Sequence, residues 1–186
     1  LRVTRTGRLS HWKGLAFPNC AAGALHAAFL ARQGITGPAE VFEGNKGWRE
    51  TVSGPWDLDW SKERLERVTA TDLKKYNAEI HSQSAIEGLL ELLEGVGIAP
   101  SQIREIRVAI FDVAYHIIGG GEEGDKTLVQ TKEEADHSLP YLLAVAALDG
   151  TVLPAQYAPQ RIVAPDVQDL LRRVRIQPDP DYTRRF

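Results

Sequence analysis

The chain has 186 residues, of which 43% are hydrophobic and 25% charged, the ordinary balance of a soluble globular protein. This composition excludes a mainly disordered chain, a collagen-like fibre and a disulfide-dense mini-protein. The net charge of -3 shows no basic excess, which argues against nucleic acid as a partner. The single cysteine, Cys20, cannot form an internal disulfide, which favours a reducing, cytoplasmic compartment. Its alanine-rich surroundings predict a buried, inert thiol.

Membrane segments are not expected from the apolar runs of the sequence. The longest uninterrupted run, YLLAVAAL at 141–148, is too short for a helix to cross a bilayer, and the N-terminal residues lack the apolar core of a secretory signal. The sequence contains no methionine, even at position 1. We therefore expect a piece of a longer protein or a processed product.

The first third of the chain is predicted to be helical and irregular. Residues 1–17 have no regular pattern, whereas small and apolar residues recur at helical spacing from Pro18 onward and predict a tightly packed helix over 18–33. A short second helix is predicted at AEVFEG, residues 39–44. Residues 44–61 hold three tryptophans with glycine and proline, which is typical of an ordered loop anchored by packed aromatic rings.

The middle of the chain changes pattern twice. A helical period begins at His81 and ends at Gly95 and Gly97, and the alternating run IREIRVAIFDV at 103–113 predicts a strand. Three glycines and neighbouring acidic residues at 119–125 predict a flexible loop. Thr131 and Glu134 have the spacing of a capping box, which predicts a helix over 132–148.

The last part of the chain completes a mixed architecture. Pro165 opens a predicted helix that runs to about Arg173, VRIQPD at 174–179 predicts a second strand, and the remaining residues read as a polar tail. Two strands that are widely separated among several helices indicate an α+β fold rather than a doubly wound parallel sheet. A break in composition near residues 44–70 separates an all-helical front from a mixed rear.

Common catalytic and metal-binding motifs are missing from the sequence. It contains no CxxC pair, no HExxH, and no GxGxxG that opens a helix after a strand, and the glycines at 119–121 lack the lysine and Ser/Thr of a phosphate loop. Its five histidines are scattered. We therefore predict neither a metal nor another cofactor.

Three local groupings remain that suit chemistry on an anionic substrate. Lys13 precedes the first predicted helix, so its charge combines with free backbone donors, although a solvated lysine is the more common case. Residues 74–83 hold two amines, a carboxylate, an imidazole and a phenol, which suits acid–base catalysis or simply an exposed helix start. Residues 112–116 lie between a strand and a glycine loop, where side chains often reach ligands, although a surface turn explains them as well.

Together these segments resemble the MmgE/PrpD family, which includes 2-methylcitrate dehydratases, cis-aconitate decarboxylases and an iminodisuccinate epimerase. The matching stretches are SHWKGLAFPNCAAGALHAAFLARQGITGP, LKKYNAEIHSQSAIEGLLEL and TKEEADHSLPYLLAVAALDGTVLPAQYAP, in the family's order and spacing. The resemblance covers nearly the whole chain. It implies part of an all-helical domain at 1–60, followed by a smaller α+β lid domain at 61–186.

The same resemblance implies an incomplete active site. The front of the family's helical domain, which carries an aspartate and histidines of the site, has no counterpart in this chain, and neither has the C-terminal closing segment. We therefore expect the chain to be inactive alone. Family members are homodimers, so a homodimer is the expected assembly.

Site residues follow from the resemblance by position. Lys13 resembles the family's active-site lysine, and His81 lies in its AE-x-H-x-Q pattern, so the expected catalytic residues are these two. The expected substrate-binding residues are Lys74, Lys75, Glu79 and Tyr115.

Two further positions need separate treatment. Asn77 stands where the family usually has proline, a change that frees the local φ angle. Asp136 and His137 belong to the most recognisable stretch, and the start of a helix explains them equally well.

The implied activity is that of a 2-methylcitrate dehydratase-like hydro-lyase of propionate catabolism, which acts on a small di- or tricarboxylate without an iron–sulfur cluster. Lys13 and Lys75 would neutralise substrate carboxylates, and His81 would act as acid or base. The alternatives are decarboxylation of cis-aconitate, epimerisation of iminodisuccinate, and a non-catalytic dimerisation module.

Overall fold

A computed structural model describes residues 9–57 and 59–186, and the chain divides into two compact units. The first unit consists of the N-terminal residues up to Leu15 together with Lys74–Phe186, and the second unit consists of Ala16–Leu73. The chain is 53% helical with one small two-stranded parallel sheet, which confirms the predicted α+β class. The predicted domain boundary between residues 60 and 61 stays a prediction.

The helices and strands follow one another in a simple order. Helix α1 (Trp12–Arg32) begins in the first unit and continues into the second. The first unit then contains α2 (Gln83–Val96), β1 (Ile106–Ile110), α3 (Asp112–Ala114), α4 (Lys132–Ala135), α5 (Leu139–Asp149), α6 (Pro159–Ile162), α7 (Pro165–Leu171), β2 (Val174–Pro178) and α8 (Pro180–Arg185). Short 3₁₀ and π turns connect several of them.

Helix α5 is the centre of the core of the first unit. Residues 139–147 are all buried, and α5 packs against α2, α7 and β2. A helix that is apolar on every face must be surrounded by other elements. The two strands lie parallel beside it, with Ile106 opposite Val174 and Ile110 opposite Pro178, so both predicted strands are confirmed.

The single helix predicted over 132–148 is wrong, because the structure has two helices there. Thr131 and Glu134 form the predicted capping box at the start of α4. The chain then leaves the helix, and the hydroxyl of Ser138 accepts the N–H of Tyr141 at 3.1 Å to start α5. Pro140, in the first turn of α5, has no N–H for a continuous helix, so the break occurs where a second cap is available.

Two other local predictions are also wrong. The polar tail contains helix α8, because the side chain of Asp179 caps it by accepting the N–H groups of Asp181 and Tyr182. The helix predicted at residues 39–44 is a series of turns. A side chain at Gly44 or Gly47 would lie within 3 Å of backbone carbonyl oxygens, so the tight turns depend on glycine.

Helix α1 begins six residues before the predicted start at Pro18. The first turn forms because the N–H groups of Lys13 and Gly14 donate to the carbonyls of Ser10 and His11. Part of the segment 1–17 that is predicted to be irregular, residues 1–8, lies outside the described residues.

The burial expected in the front of the chain does not appear. Cys20 is exposed, so the predicted buried thiol is wrong, and within the described part of the chain no residue of α1 is buried. Trp48 and Trp60 are also exposed rather than packed. The alanine-rich helix therefore has no covering element among the described residues.

By length and composition alone, helix α1 could cross a membrane. Core helices of soluble proteins meet the same two criteria. The count of uninterrupted apolar runs overlooks it because Asn19 and His26 interrupt the run.

Candidate functional site

Lys13 lies in the first turn of α1, and its ammonium meets residues more than a hundred positions later. Its Nζ lies 3.0 Å from Oδ1 of Asp136 and 2.5 Å from Nδ1 of His137. The side chains of Lys13 and Asp136 are only 13% and 15% exposed. The more common case of a solvated lysine is therefore wrong for Lys13.

Asp136 is the centre of this group, which we call the Asp136 cluster: Lys13, Lys132, Asp136 and His137. Lys132 lies one helical turn before Asp136, and its Nζ is 2.6 Å from Oδ2 of that carboxylate. The imidazole Nδ1 of His137 is 2.6 Å from Oδ1. Each carboxylate oxygen thus faces an ammonium group, and the imidazole shares one of them.

The protonation states follow from this geometry. Burial alone would raise the pKa of Asp136, but hydrogen bonds from His137 and Lys132 and the charge of Lys13 hold that pKa well below its usual range. The carboxylate is therefore ionised at neutral pH. Burial lowers the pKa of Lys13, and the nearby Asp136 offsets only part of the shift. Lys13 thus gives up its proton more readily than a solvated lysine does.

The ammonium groups of Lys13 and Lys132 face the carboxylate of Asp136, and the negative charge of Glu133 also acts on Lys13. With both lysines protonated, these two carboxylates balance the two positive charges. Ammonium groups are common partners of anionic ligands. The neighbouring amine and imidazole are also groups that can donate or accept a proton.

Tyr157 closes one side of the cluster. Its ring centroid lies 6.0 Å from Nζ of Lys132, and its hydroxyl donates to the carbonyl of Asn77 at 2.5 Å. Burial, and then the negative charge of Asp136, raise the pKa of Tyr157 far above its usual value. The phenol therefore stays protonated and holds the chain at Asn77.

The segment of the AE-x-H-x-Q pattern is attached to the cluster through its backbone. The N–H of Glu79 donates to the carbonyl of Asp136 at 3.2 Å. The carboxylate of Glu79 accepts the N–H of His81 at 2.7 Å and caps the 3₁₀ turn Ile80–Ser82. Glu79 thus fixes the backbone in the structure, and its predicted contact with substrate stays a prediction.

Asn77, which replaces the family's usual proline, gains a hydrogen bond that proline cannot make. Its backbone N–H donates to the carbonyl of Val152 at 2.9 Å. Proline has no N–H to donate. This bond restrains the segment where the fixed φ of proline is missing.

His81 packs against two aromatic rings. Its ring packs edge-on against Phe111 at 5.2 Å and Phe186 at 5.7 Å, and its Nε2 is 3.9 Å from the Glu79 carboxylate. The side chain of Lys13, the other expected catalytic residue, contacts Asp136 and His137. The catalytic role of His81 stays a prediction.

The basic pair at 74–75 has its own partners. The Nζ of Lys75 is 2.7 Å from both carboxylate oxygens of Glu87, and the hydroxyl of Tyr76 donates to the same carboxylate at 2.5 Å. The Nζ of Lys74 donates to the carbonyl of Ala78 at 2.8 Å. Both lysines thus have polar partners within the protein, and their predicted role in substrate binding stays a prediction.

Tyr115 is half-buried and packs against the core of the first unit. Its neighbour His116 has its Nε2 3.3 Å from Oδ1 of Asp112, across one turn of α3 and the following π turn. The described contacts of Tyr115 are with the core and with the ring of His116. Its predicted position near a substrate stays a prediction.

A metal site is not formed by the residues that the structure describes. Among residues 9–57 and 59–186, no group of three or more His, Cys, Asp or Glu side chains is placed to hold a metal ion.

Sequence reasoning left Asp136 and His137 undecided and missed Lys132. The missing signal is the spacing of four residues between Lys132 and Asp136, which places an amine and a carboxylate on the same side of one helical turn. No comparable local signal connects either residue to Lys13.

Comparison with known proteins matches both parts of the chain. A family model described as the MmgE/PrpD N-terminal domain matches residues 1–61, and one described as the MmgE/PrpD C-terminal domain matches residues 76–186. Cis-aconitate decarboxylase of Mus musculus is 24% identical in an alignment of 179 residues that covers 91% of this chain. The chain spans only about a third (35%) of the length of that relative.

Proposed function

The chain belongs to the MmgE/PrpD family, and from that premise we propose that it forms part of the active site of a lyase for small di- or tricarboxylates. The family models confirm the resemblance inferred from the sequence. The observation that carries the proposal is the contact of Lys13 with both Asp136 and His137, across 123 and 124 positions of the chain.

Charge supports this substrate class. A di- or tricarboxylate brings two or three negative charges, and the Asp136 cluster supplies two ammonium groups and an imidazole that can face them. In the proposed complex, Lys13 and Lys132 neutralise the carboxylate next to the reacting carbon. Ammonium–carboxylate hydrogen bonds are among the stronger polar contacts, particularly where water is partly excluded.

The proposed chemistry begins with a carbon acid. A base removes the proton from the carbon beside a carboxylate, and the electron pair spreads onto that carboxylate. In a dehydration the electrons then expel hydroxide, which leaves as water after protonation. Lys13 and His137, with nitrogens 2.5 Å apart, form the proposed proton-exchanging pair, and Asp136 orients both.

The specific reaction proposed is dehydration of 2-methylcitrate. Decarboxylation of cis-aconitate is the second candidate, because that is the named activity of the mouse relative. In that reaction the carbon–carbon bond breaks, CO₂ leaves and the carbanion takes up a proton. Epimerisation of iminodisuccinate and a non-catalytic dimerisation module are further alternatives.

The assembly and compartment belong to the same proposal. We propose a cytoplasmic homodimer, supported by the family's usual state and by a sequence with a single cysteine. The exposed apolar residues of α1 provide a surface for such a contact.

The test uses the intact protein that contains this chain. Turnover is measured separately with 2-methylcitrate, cis-aconitate and iminodisuccinate, and then with Lys13→Met. We expect kcat/KM to fall about 100-fold or more, the usual effect of losing a group that transfers a proton. Lys62→Met is the matched control, because it removes an ammonium that is 82% exposed.

Two results would contradict the proposal in different ways. A fall smaller than about threefold, equivalent to ~0.7 kcal/mol, would remove Lys13 from the reaction. If the folded wild-type protein turned over none of the three substrates, the lyase would be excluded and the dimerisation module favoured. The mass of the protein by light scattering then tests that module.

A further inference from the structure

Residues 76–79 lead into the 3₁₀ turn that carries His81, and they belong to neither a helix nor a strand. Tyr76 and Ala78 are nonetheless buried, with exposed fractions of 6% and 4%. Buried backbone N–H and C=O groups need hydrogen-bond partners, which a helix or a sheet supplies from its own backbone. In this segment the partners must come from other parts of the fold.

The side-chain amide of Gln83, in the first turn of α2, supplies several of these partners. Its Oε1 accepts the backbone N–H of Tyr76 at 2.9 Å, and its Nε2 donates to the carbonyl of the same residue at 3.2 Å. The carbonyl oxygens of Ala78 and Glu79 each lie 3.4 Å from Nε2. Because an amide carries both an acceptor and a donor, a single side chain can hold the N–H and the C=O of one residue.

The other side of the segment is attached to the backbone around the Asp136 cluster. The N–H of Asn77 donates to the carbonyl of Val152 at 2.9 Å, and the carbonyl of Asn77 accepts the hydroxyl of Tyr157 at 2.5 Å. The N–H of Glu79 donates to the carbonyl of Asp136 at 3.2 Å. The segment therefore connects the first turn of α2 with the backbone of the cluster.

Glu79 is the residue through which this arrangement reaches the candidate site. Its N–H is bonded to Asp136, and its carboxylate accepts the backbone N–H of His81 at 2.7 Å. Its carbonyl accepts the hydroxyl of Ser82 at 2.6 Å and lies near the amide of Gln83. A displacement of residues 76–79 would therefore change both the position of His81 and the contact with Asp136.

We propose that Gln83 is a positioning residue, whose amide holds residues 76–79 so that His81 and the Asp136 cluster keep a fixed geometry during the reaction. This inference rests on the proposed function, since it takes these groups to act on a polycarboxylate. Gln83 acts through Glu79 and does not itself contact the substrate. Its loss should therefore slow turnover more than it weakens substrate binding.

Gln83→Met, made in the intact protein, removes the amide and keeps a side chain of similar length. The backbone N–H of Tyr76 then loses its acceptor at 2.9 Å. The carbonyls of Tyr76 and Ala78 keep other donors, the N–H of Ala78 and the ammonium of Lys74, each at 2.8 Å. We therefore expect the Tyr76 amide to exchange its hydrogen at least tenfold faster in this variant, as measured by NMR or mass spectrometry.

Turnover is measured with whichever of the three substrates wild type converts. In Gln83→Met, kcat should fall at least tenfold, because a misplacement of about 1 Å can cost about 100-fold in rate. KM should change less than threefold, since the ammonium groups of the Asp136 cluster keep their contacts. Gln102→Met is the matched control: it removes an amide that accepts the N–H of Ala99 at 2.8 Å in an exposed turn, and it should leave both readouts unchanged.

The outcomes separate this inference from the proposed function. If wild type is active and Gln83→Met changes either the exchange of the Tyr76 amide or kcat by less than threefold, the positioning role is overturned and the proposed function stands. If wild type converts none of the three substrates, both are overturned. Should Gln83→Met fail to fold, Gln83→Asn takes its place with the same two readouts, because its amide is one methylene shorter and loses the same contacts.

Discussion

The backbone N–H of Glu79 donates a hydrogen bond to the carbonyl of Asp136 at 3.2 Å, so the segments that carry His81 and His137 lie side by side. Lys13 reaches the same place from the start of α1 through the Asp136 carboxylate. Three distant parts of the chain therefore meet at one residue. A change at Asp136 should affect both the stability of the fold and the charge state of the cluster.

Asp136→Asn should destabilise the intact protein by about 3 kcal/mol at pH 7, because it leaves the ammonium groups of Lys13 and Lys132 facing a neutral amide. The measurement is the free energy of unfolding from urea titrations. Asp72→Asn, at an exposed position, is the control and should change stability little.

The same variant has a predicted pH dependence. The pKa of Asp136 in the folded state is below its ordinary value of 3.8, so the unfolded state binds the proton first. The stabilisation is present above pH 3.8 and is lost as the pH falls through the lower folded pKa. The difference between wild type and Asp136→Asn should therefore shrink below pH 3.8. A difference that stays constant down to pH 2 would contradict the assignment.

Ser138→Ala should cost about 2–3 kcal/mol. The hydroxyl caps α5 by accepting the N–H of Tyr141, and it also donates to the carbonyl of Lys126 in a buried position. Loss of a cap costs about 1 kcal/mol, and an unsatisfied buried carbonyl costs about 1–3 kcal/mol. Thr131→Ala is the matched comparison, because that hydroxyl only caps α4, and it should cost about 1 kcal/mol. Equal losses in thermal or urea unfolding would contradict the second role of Ser138.

Local patterns account for what the sequence predicts well. The two strands, the capping box at Thr131 and Glu134, and the end of α2 at Gly97 depend on residues within a few positions of each other. The apolar period continues across the break before α5, so the pattern alone predicts one uninterrupted helix. Pro140 is the local sign of a new helix start, and it identifies Ser138 as the second cap.

The candidate site is less predictable because its contacts are long-range. Nothing within ten residues of Lys13 indicates that its ammonium is buried against Asp136, and a lone lysine before a helix is usually solvated. The pairing of Lys75 with Glu87 joins residues that are twelve positions apart, so a local pattern does not predict it either. The resemblance to a family identifies the segments, whereas their side-chain partners depend on how the segments meet in space.

Two glycines should respond in opposite directions to alanine. Gly150 ends α5 with φ at +72°, a conformation that strains an alanine, so Gly150→Ala should cost about 1 kcal/mol. Gly95 lies inside α2 with open space around the added methyl group, so Gly95→Ala should stabilise by about 0.5–1 kcal/mol. Urea unfolding of the two variants against wild type checks both signs. A loss of stability in Gly95→Ala would show that α2 is covered there in the intact protein.

Lys75 provides a direct comparison with Lys13. The hydrogen bond to Glu87 raises the pKa of Lys75, and the side chain is 67% exposed, so its charge is already paired and largely hydrated. We therefore expect Lys75→Met to lower kcat/KM less than threefold, whereas Lys13→Met lowers it about 100-fold. Both variants remove one ammonium and leave an apolar chain of similar length, so the two losses are comparable.

Glu87→Gln tests whether Lys75 contributes to substrate binding. This variant keeps the shape of the side chain but frees the ammonium of Lys75 from its carboxylate partner. If Lys75 contributes nothing to substrate binding, KM should stay within threefold of wild type. A tenfold loss in Lys75→Met together with a lower KM in Glu87→Gln would instead place Lys75 against a substrate carboxylate. Lys75 would then have to exchange Glu87 for the substrate when the site fills.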